Sequence, residues 1–270
     1  MAKGLTRVAF LYDFDDTLCR ESMQYYGLFQ ALGTTPDEFW NEKNKLAIDK
    51  NIENNNAYMY QVLKTARQNG VKLSREFFQN CAKDIQYFDG LDTFFDRINA
   101  FGLEHGIKVE HYIISSGHKE IIEASKFADK FDRIFASEYL YDEVTGEPVW
   151  MRYSVNHTMK TQYIYRIRKN LIDKLYEDRE LNEKAEDDTH LLPLSNMMYF
   201  GDGYTDVPSM KTLTISGGHA VCVYRDETRS NADNLLKDGR VEYIAEADYT
   251  EGSKIDKICK TVIAQISLKN

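Results

Sequence analysis

The sequence predicts an α/β protein, a doubly wound parallel sheet interrupted after its first strand by an α-helical insertion. Three observations carry this. Short, continuous apolar runs such as Val8-Ala9-Phe10-Leu11-Tyr12 and Met197-Met198-Tyr199-Phe200 have the pattern of strands covered on both faces. These runs alternate with helical patterns through most of the chain, as parallel sheets with crossover helices do. Between the first run and the next, roughly seventy residues show helical patterns and no strand.

Strand 1 covers Val8 to Asp13. In the insertion, Thr35-Pro36-Asp37-Glu38 starts a helix, with Thr as N-cap, Pro in the first turn and Glu closing a capping box; Phe39, Trp40, Leu46 and Ala47 form its apolar face. Met59, Val62, Leu63 and Ala66 repeat at helical spacing up to Gly70, and Ser74 caps a helix carrying Phe77, Phe78 and Cys81. The run Asn54-Asn55-Asn56 is a loop or a helix start. A helix with Leu91, Phe94, Phe95, Ile98 and Phe101 leads through Gly102 and Gly106 to strand 2, His111 to Ser115. A short helix around Ile121, Ile122 and Ala124 precedes strand 3 at Ile134-Phe135-Ala136. Residues 138–150 read as a β-hairpin that is either part of the sheet or decoration. A helix with Ile164, Ile167, Leu171 and Leu175 on one face follows, then a charged loop from Glu177 to His190. Strand 4 is Met197 to Phe200, strand 5 is Ala220 to Val223, and a final helix capped by Ser253 carries Ile255, Ile258, Cys259, Val262 and Ile266.

Ligands of such sheets bind beyond the carboxyl ends of the strands, and the unusual polar residues collect there. Strand 1 ends in Asp13-Phe14-Asp15-Asp16-Thr17. Alternation puts Asp13 and Asp15 on one side of the strand end. Two carboxylates about 5 Å apart repel by roughly 3 kcal/mol at an effective dielectric near 20, so the pair needs a cation or a shared proton. Strand 2 ends in Ser115-Ser116-Gly117 and strand 4 in Gly201-Asp202-Gly203-Tyr204-Thr205-Asp206, with Lys160 at the start of the helix between them.

In this order the residues resemble the haloacid dehalogenase (HAD) superfamily, in its phosphatase branch. Asp13-Phe14-Asp15-Asp16-Thr17 matches the first motif, Ser115 the second, Lys160 the third, and Asp202 with Asp206 the fourth. The resemblance implies a HAD-like Rossmannoid core at 1–19 and 89–270, with an α-helical cap at 20–88. It implies a phosphatase acting on a small phosphorylated metabolite. Asp13 would attack phosphorus to give an aspartyl phosphate, and Asp15 would serve as general acid and then base. Ser115, Ser116, Gly117 and Lys160 would hold the phosphate. Mg²⁺ would be held by Asp13, the backbone carbonyl of Asp15, and Asp202, with Asp206 on a metal-bound water; oxygen-only donors suit that ion. The retained Asp15 favours phosphate esters over organic halides, whose leaving group needs no proton. Cap length and the 201–208 run are similar to phosphoserine phosphatases, although Thr205 stands where those commonly have Asn. Glu21, Arg67, Arg75, His118 and His157 are further candidates for substrate contact. The same intermediate could serve a phosphotransferase or mutase, and a noncatalytic phosphate-binding protein is the alternative from another class.

Composition narrows the partners. With 43 acidic against 34 basic residues and a net charge of −9, the overall field disfavours nucleic acid. No stretch is apolar enough to span a bilayer, and the first residues lack the core of a signal peptide. Cys19, Cys81, Cys222 and Cys259 are scattered without metal-ligand spacing and read as reduced thiols, so a cytoplasmic protein is expected.

Overall fold

The computed structural model describes residues 4–184 and 190–269. Seven strands form one sheet in the order β4-β3-β2-β1-β5-β6-β7: β1 Thr6–Tyr12, β2 Ile107–His118, β3 Arg133–Tyr141, β4 Pro148–Tyr153, β5 Met197–Gly201, β6 His219–Tyr224 and β7 Tyr243–Glu246. All neighbours are parallel except β3 and β4, which form the antiparallel hairpin at one edge. The hairpin is therefore part of the sheet. β1 lies at the centre, between β2 and β5, where the chain changes winding direction.

Alternation along β1 divides the core. Val8, Phe10 and Tyr12 face one apolar layer and Ala9 and Leu11 the other, all fully buried. The first layer packs α5 (Leu91–Glu104) and α11 (Lys254–Lys269) through Phe94, Phe95, Ile98, Ile255 and Val262. The second packs α7 (His157–Arg168), α9 (Val207–Ile215) and α10 (Arg229–Lys237) through Tyr163, Ile164, Met210, Leu213 and Leu235.

The helical insertion follows β1 and contains α1 (Leu28–Leu32), α2 (Pro36–Lys50), α3 (Asn54–Gln68) and α4 (Arg75–Asn80). The expected capping box of α2 is present: Thr35 Oγ1 accepts from the Glu38 amide at 3.3 Å, and the Glu38 carboxylate accepts from the Thr35 amide at 3.0 Å. The asparagine run is the start of α3, capped by Glu53. Entering and leaving segments pair across the neck, with the Arg20 amide donating to Gln86 and the Phe88 amide to Leu18. The insertion has no separate core; Phe39, Met59, Val62 and Phe78 join the layer that includes β1 and α5.

Short α6 (Lys119–Glu123) matches expectation. The helix carrying Lys160 ends at Arg168, so Leu171 and Leu175 lie beyond it. The expected charged loop contains α8 (Arg179–Asn182), and its residues 185–189 lie outside the described residues. The fully buried Arg166 organises the stretch after α7, donating to the carbonyls of Lys174, Leu175 and Glu177 and to Asp178. Among the described residues, no helix is long and apolar enough to cross a membrane.

Candidate active site

The ends of β1 and β5 and the first turn of α7 converge. Lys160, 1% exposed, lies 2.8 Å from Asp13 Oδ2 and 2.7 Å from Asp206 Oδ1. Tyr199 also donates to Asp206 Oδ1, at 2.8 Å. The other oxygen of Asp13 accepts from the Phe14 amide at 2.8 Å. One oxygen from each of Asp13, Asp202 and Asp206 lies within 4.8 Å of the others. Close approach is built into the backbone: a Cβ on Gly201 would sit 2.5 Å from Asp206 Oδ2.

This crowding has an electrostatic signature. Burial, then the Asp206 charge, pushes the Asp13 carboxyl up to about 7 against the pull of Lys160. Burial, then Asp13, pushes Asp15 up to about 8. Asp202 is held well above the usual carboxylate range by burial, Asp206 and Asp13. Burial opposes the charge on Lys160, but Asp13 and Asp206 outweigh it and raise its proton affinity. One ammonium cannot neutralise this many acids. Asp206 Oδ2 is buried without a hydrogen-bond partner among the described residues. A set of carboxylate oxygens with net negative charge and an unsatisfied buried acceptor fits a small, hard divalent cation.

Asp15 lies close enough to Asp13 to feel its charge and also reaches the insertion. Its Oδ1 accepts from the Met23 amide at 2.8 Å, tying the start of the insertion to the strand end. Asp16 takes the left-handed conformation, φ 55°, tolerable for an aspartate in a turn, and pairs with Arg225 at 3.0 Å. Ser115 Oγ accepts from the Gly117 amide at 3.0 Å, which shapes the end of β2.

No family model matches the chain. An uncharacterized protein of Borreliella burgdorferi is 28% identical, with 94% of this chain and 98% of that one covered. Among solved structures, a HAD family hydrolase of Salmonella enterica serovar Typhi superposes with a TM-score of 0.61 at 14% identity, covering 96% of this chain and 72% of that one. A phosphoserine phosphatase solved as a phospho-aspartyl intermediate analogue gives 0.53 at 15% identity, covering 95% and 99%. A phosphoserine phosphohydrolase-like protein of Francisella tularensis gives 0.51 at 18% identity, covering 88% and 94%. The chain has the HAD-like fold.

On this HAD scaffold a cavity of about 370 Å³ runs from Asp15, Ser116 and Gly117 to the insertion. Of the further candidates for substrate contact, His157 lines it. The others do not. Glu21 is exposed and Arg67 borders a separate depression near Glu147. Arg75 is spent on Glu138 at 3.2 Å and on Glu123 at 3.7 Å. His118 is fully buried among the rings of Tyr58, Phe78 and Tyr139, because that stretch of β2 lies under the insertion. Sequence reasoning missed the cavity's other wall, made by Trp40, Lys43, Glu53, Asn54 and Tyr58. The available signal was Trp40 and Lys43 at i, i+3 on one helix, close ahead of the polar asparagine run.

Proposed function

We propose that this protein is a Mg²⁺-dependent phosphatase of a small phosphomonoester, working through an aspartyl phosphate on Asp13. The observation that carries the reading is the meeting of Asp13, Asp202 and Asp206 around Lys160 at the carboxyl end of the central strands. The phosphatase names among the structural neighbours support it.

An Asp13 carboxylate oxygen attacks phosphorus, and the bond from phosphorus to the ester oxygen breaks. Lys160, already 2.8 Å from Asp13, meets the non-bridging oxygens with positive charge, and Ser115 offers them its hydroxyl proton. Ser116 and Gly117 close that side of the cradle. Asp15 gives its proton to the departing alkoxide. As a carboxylate it then takes one from the water that attacks the aspartyl phosphate, releasing phosphate and restoring Asp13. Asp13, Asp202, Asp206 and the Asp15 carbonyl would hold Mg²⁺, which would supply the positive charge that lets an anion approach a carboxylate. Residues 20–88 act as a cap over a core of 1–19 and 89–270, excluding water and selecting the leaving group. Four cysteines without disulfides, all buried, fit a cytoplasmic enzyme.

The test is phosphate release from a panel of phosphorylated metabolites with Mg²⁺. Asp13→Asn is expected to lose at least about 10⁴-fold in kcat, the scale of removing a nucleophile. Mg²⁺ is expected to raise the unfolding temperature of the wild type, and Asp202→Asn to abolish that rise. Turnover by Asp13→Asn at the wild-type rate overturns the assignment.

A further inference from the structure

We infer that the cavity selects a phosphomonoester whose leaving group carries a second anionic group, a carboxylate or another phosphate, received by Lys43. This rests on the phosphatase reading above and names its substrate class. Lys43 is 8% exposed and lines the cavity from α2. Its ammonium donates to Asn54 Oδ1 at 2.6 Å and Asn44 Oδ1 at 3.3 Å, both neutral amide oxygens. Among the described residues, no carboxylate lies within 4.0 Å of it. Glu53 faces the same cavity, but its Oε2 is engaged in capping α3 through the amides of Asn55 and Asn56 at 2.9 and 3.0 Å.

A cation largely withdrawn from water, hydrogen-bonded only to neutral amide oxygens and offset only in part by the Glu53 charge, retains a desolvation cost that an anion offsets. Burial lowers the proton affinity of Lys43, as that cost requires. Its position is held by Trp40, whose ring centre lies 5.8 Å from the ammonium, and Trp40 stacks on Tyr58 at 5.8 Å. The two rings are the apolar part of a lining that also includes Asp15, beside the proposed phosphate cradle, and Lys43. At ~30 Å³ per water, the 370 Å³ space holds about a dozen waters, the scale of a short-chain ester. A neutral leaving group would cover the Lys43 ammonium without pairing it, and a cationic one would repel it.

Binding is measured by calorimetry on Asp13→Asn with Mg²⁺, so that turnover does not enter. The ligands are 3-phosphoglycerate, 1,3-propanediol bisphosphate, glycerol 3-phosphate and phosphoethanolamine. One or both of the first two are expected to bind about 10- to 100-fold more tightly than the others, the scale of a charged hydrogen bond; the tighter one identifies carboxylate or phosphate as the group read. Adding Lys43→Met is expected to erase that preference while leaving glycerol 3-phosphate affinity unchanged, and Lys43→Arg to keep it. Equal binding of all four esters, or an equal loss for all in Lys43→Met, overturns the role of Lys43 and leaves the phosphatase reading standing. Failure of every ester to bind Asp13→Asn, together with no phosphate release from any of them by the wild type, overturns both.

Discussion

Two charge clusters in this molecule use the same ingredients and differ in how nearly the charges balance. At the ends of β1 and β5, Asp13, Asp202 and Asp206 gather near a single ammonium, Lys160. Under the edge hairpin, one carboxylate, Glu138 at 2% exposure, receives Arg75 at 3.2 Å, Lys119 at 3.3 Å and Arg152 at 3.3 Å. The first is over-supplied with negative charge and raises the proton affinity of its own acids. The second is nearly balanced, because Arg75 and Lys119 also pair with Glu123 at 3.7 and 3.4 Å, and it joins the insertion (Arg75), α6 (Lys119) and β4 (Arg152) around β3. Imbalance of the first kind is costly unless something arrives to relieve it, which is how a binding site differs from a clasp.

Between the two clusters, the largest expected effect comes from removing the lone cation of the acidic one. Lys160→Met is expected to lower kcat about 10²- to 10³-fold, as loss of a preorganised donor does. It is also expected to cost about 3 kcal/mol in urea unfolding without Mg²⁺, because buried acids lose their partner. Glu138→Gln reverses the pattern: a loss of about 1–3 kcal/mol in stability with unchanged turnover. A large kcat loss in Glu138→Gln with full stability would erase the distinction between site and clasp.

The smallest effect concerns the uncharged packing beside the clasp, where burial pushes His118 down to about 3. Between that value and the ordinary histidine value near 6.5, the unfolded chain binds a proton that the folded one refuses. Stability from this group is therefore complete above pH 6.5 and is lost as pH falls, by at most about 1.4 kcal/mol per unit. His118→Phe is expected to flatten the pH dependence of unfolding between pH 6.5 and 5.5 relative to wild type. An unchanged slope would show that His118 is protonated within the fold.

The sheet and the acidic cluster were legible because strands buried on both faces are continuous apolar runs that break off sharply at aspartates. β7 was missed because its four residues, Tyr243 to Glu246, sit at the edge with polar neighbours, and α10 because its buried residues are only Ala232 and Leu235. The surroundings of His118 and Lys43 were illegible for a different reason. His118 is the last residue of β2 yet lies among rings supplied by α3, α4 and β3. Lys43 became visible only when α2 and α3 were set against the sheet. Residues whose neighbours are local can be read from spacing; those whose neighbours come from other segments cannot.

Gly201 shows how little room an alternative sequence has here. The last residue of β5 bears no side chain, and even one methyl would displace the aspartate whose oxygen holds the lysine in place. Drift at this position is barred by volume rather than by chemistry, and the hydrogen that stands in place of a side chain keeps the acid and the lysine together.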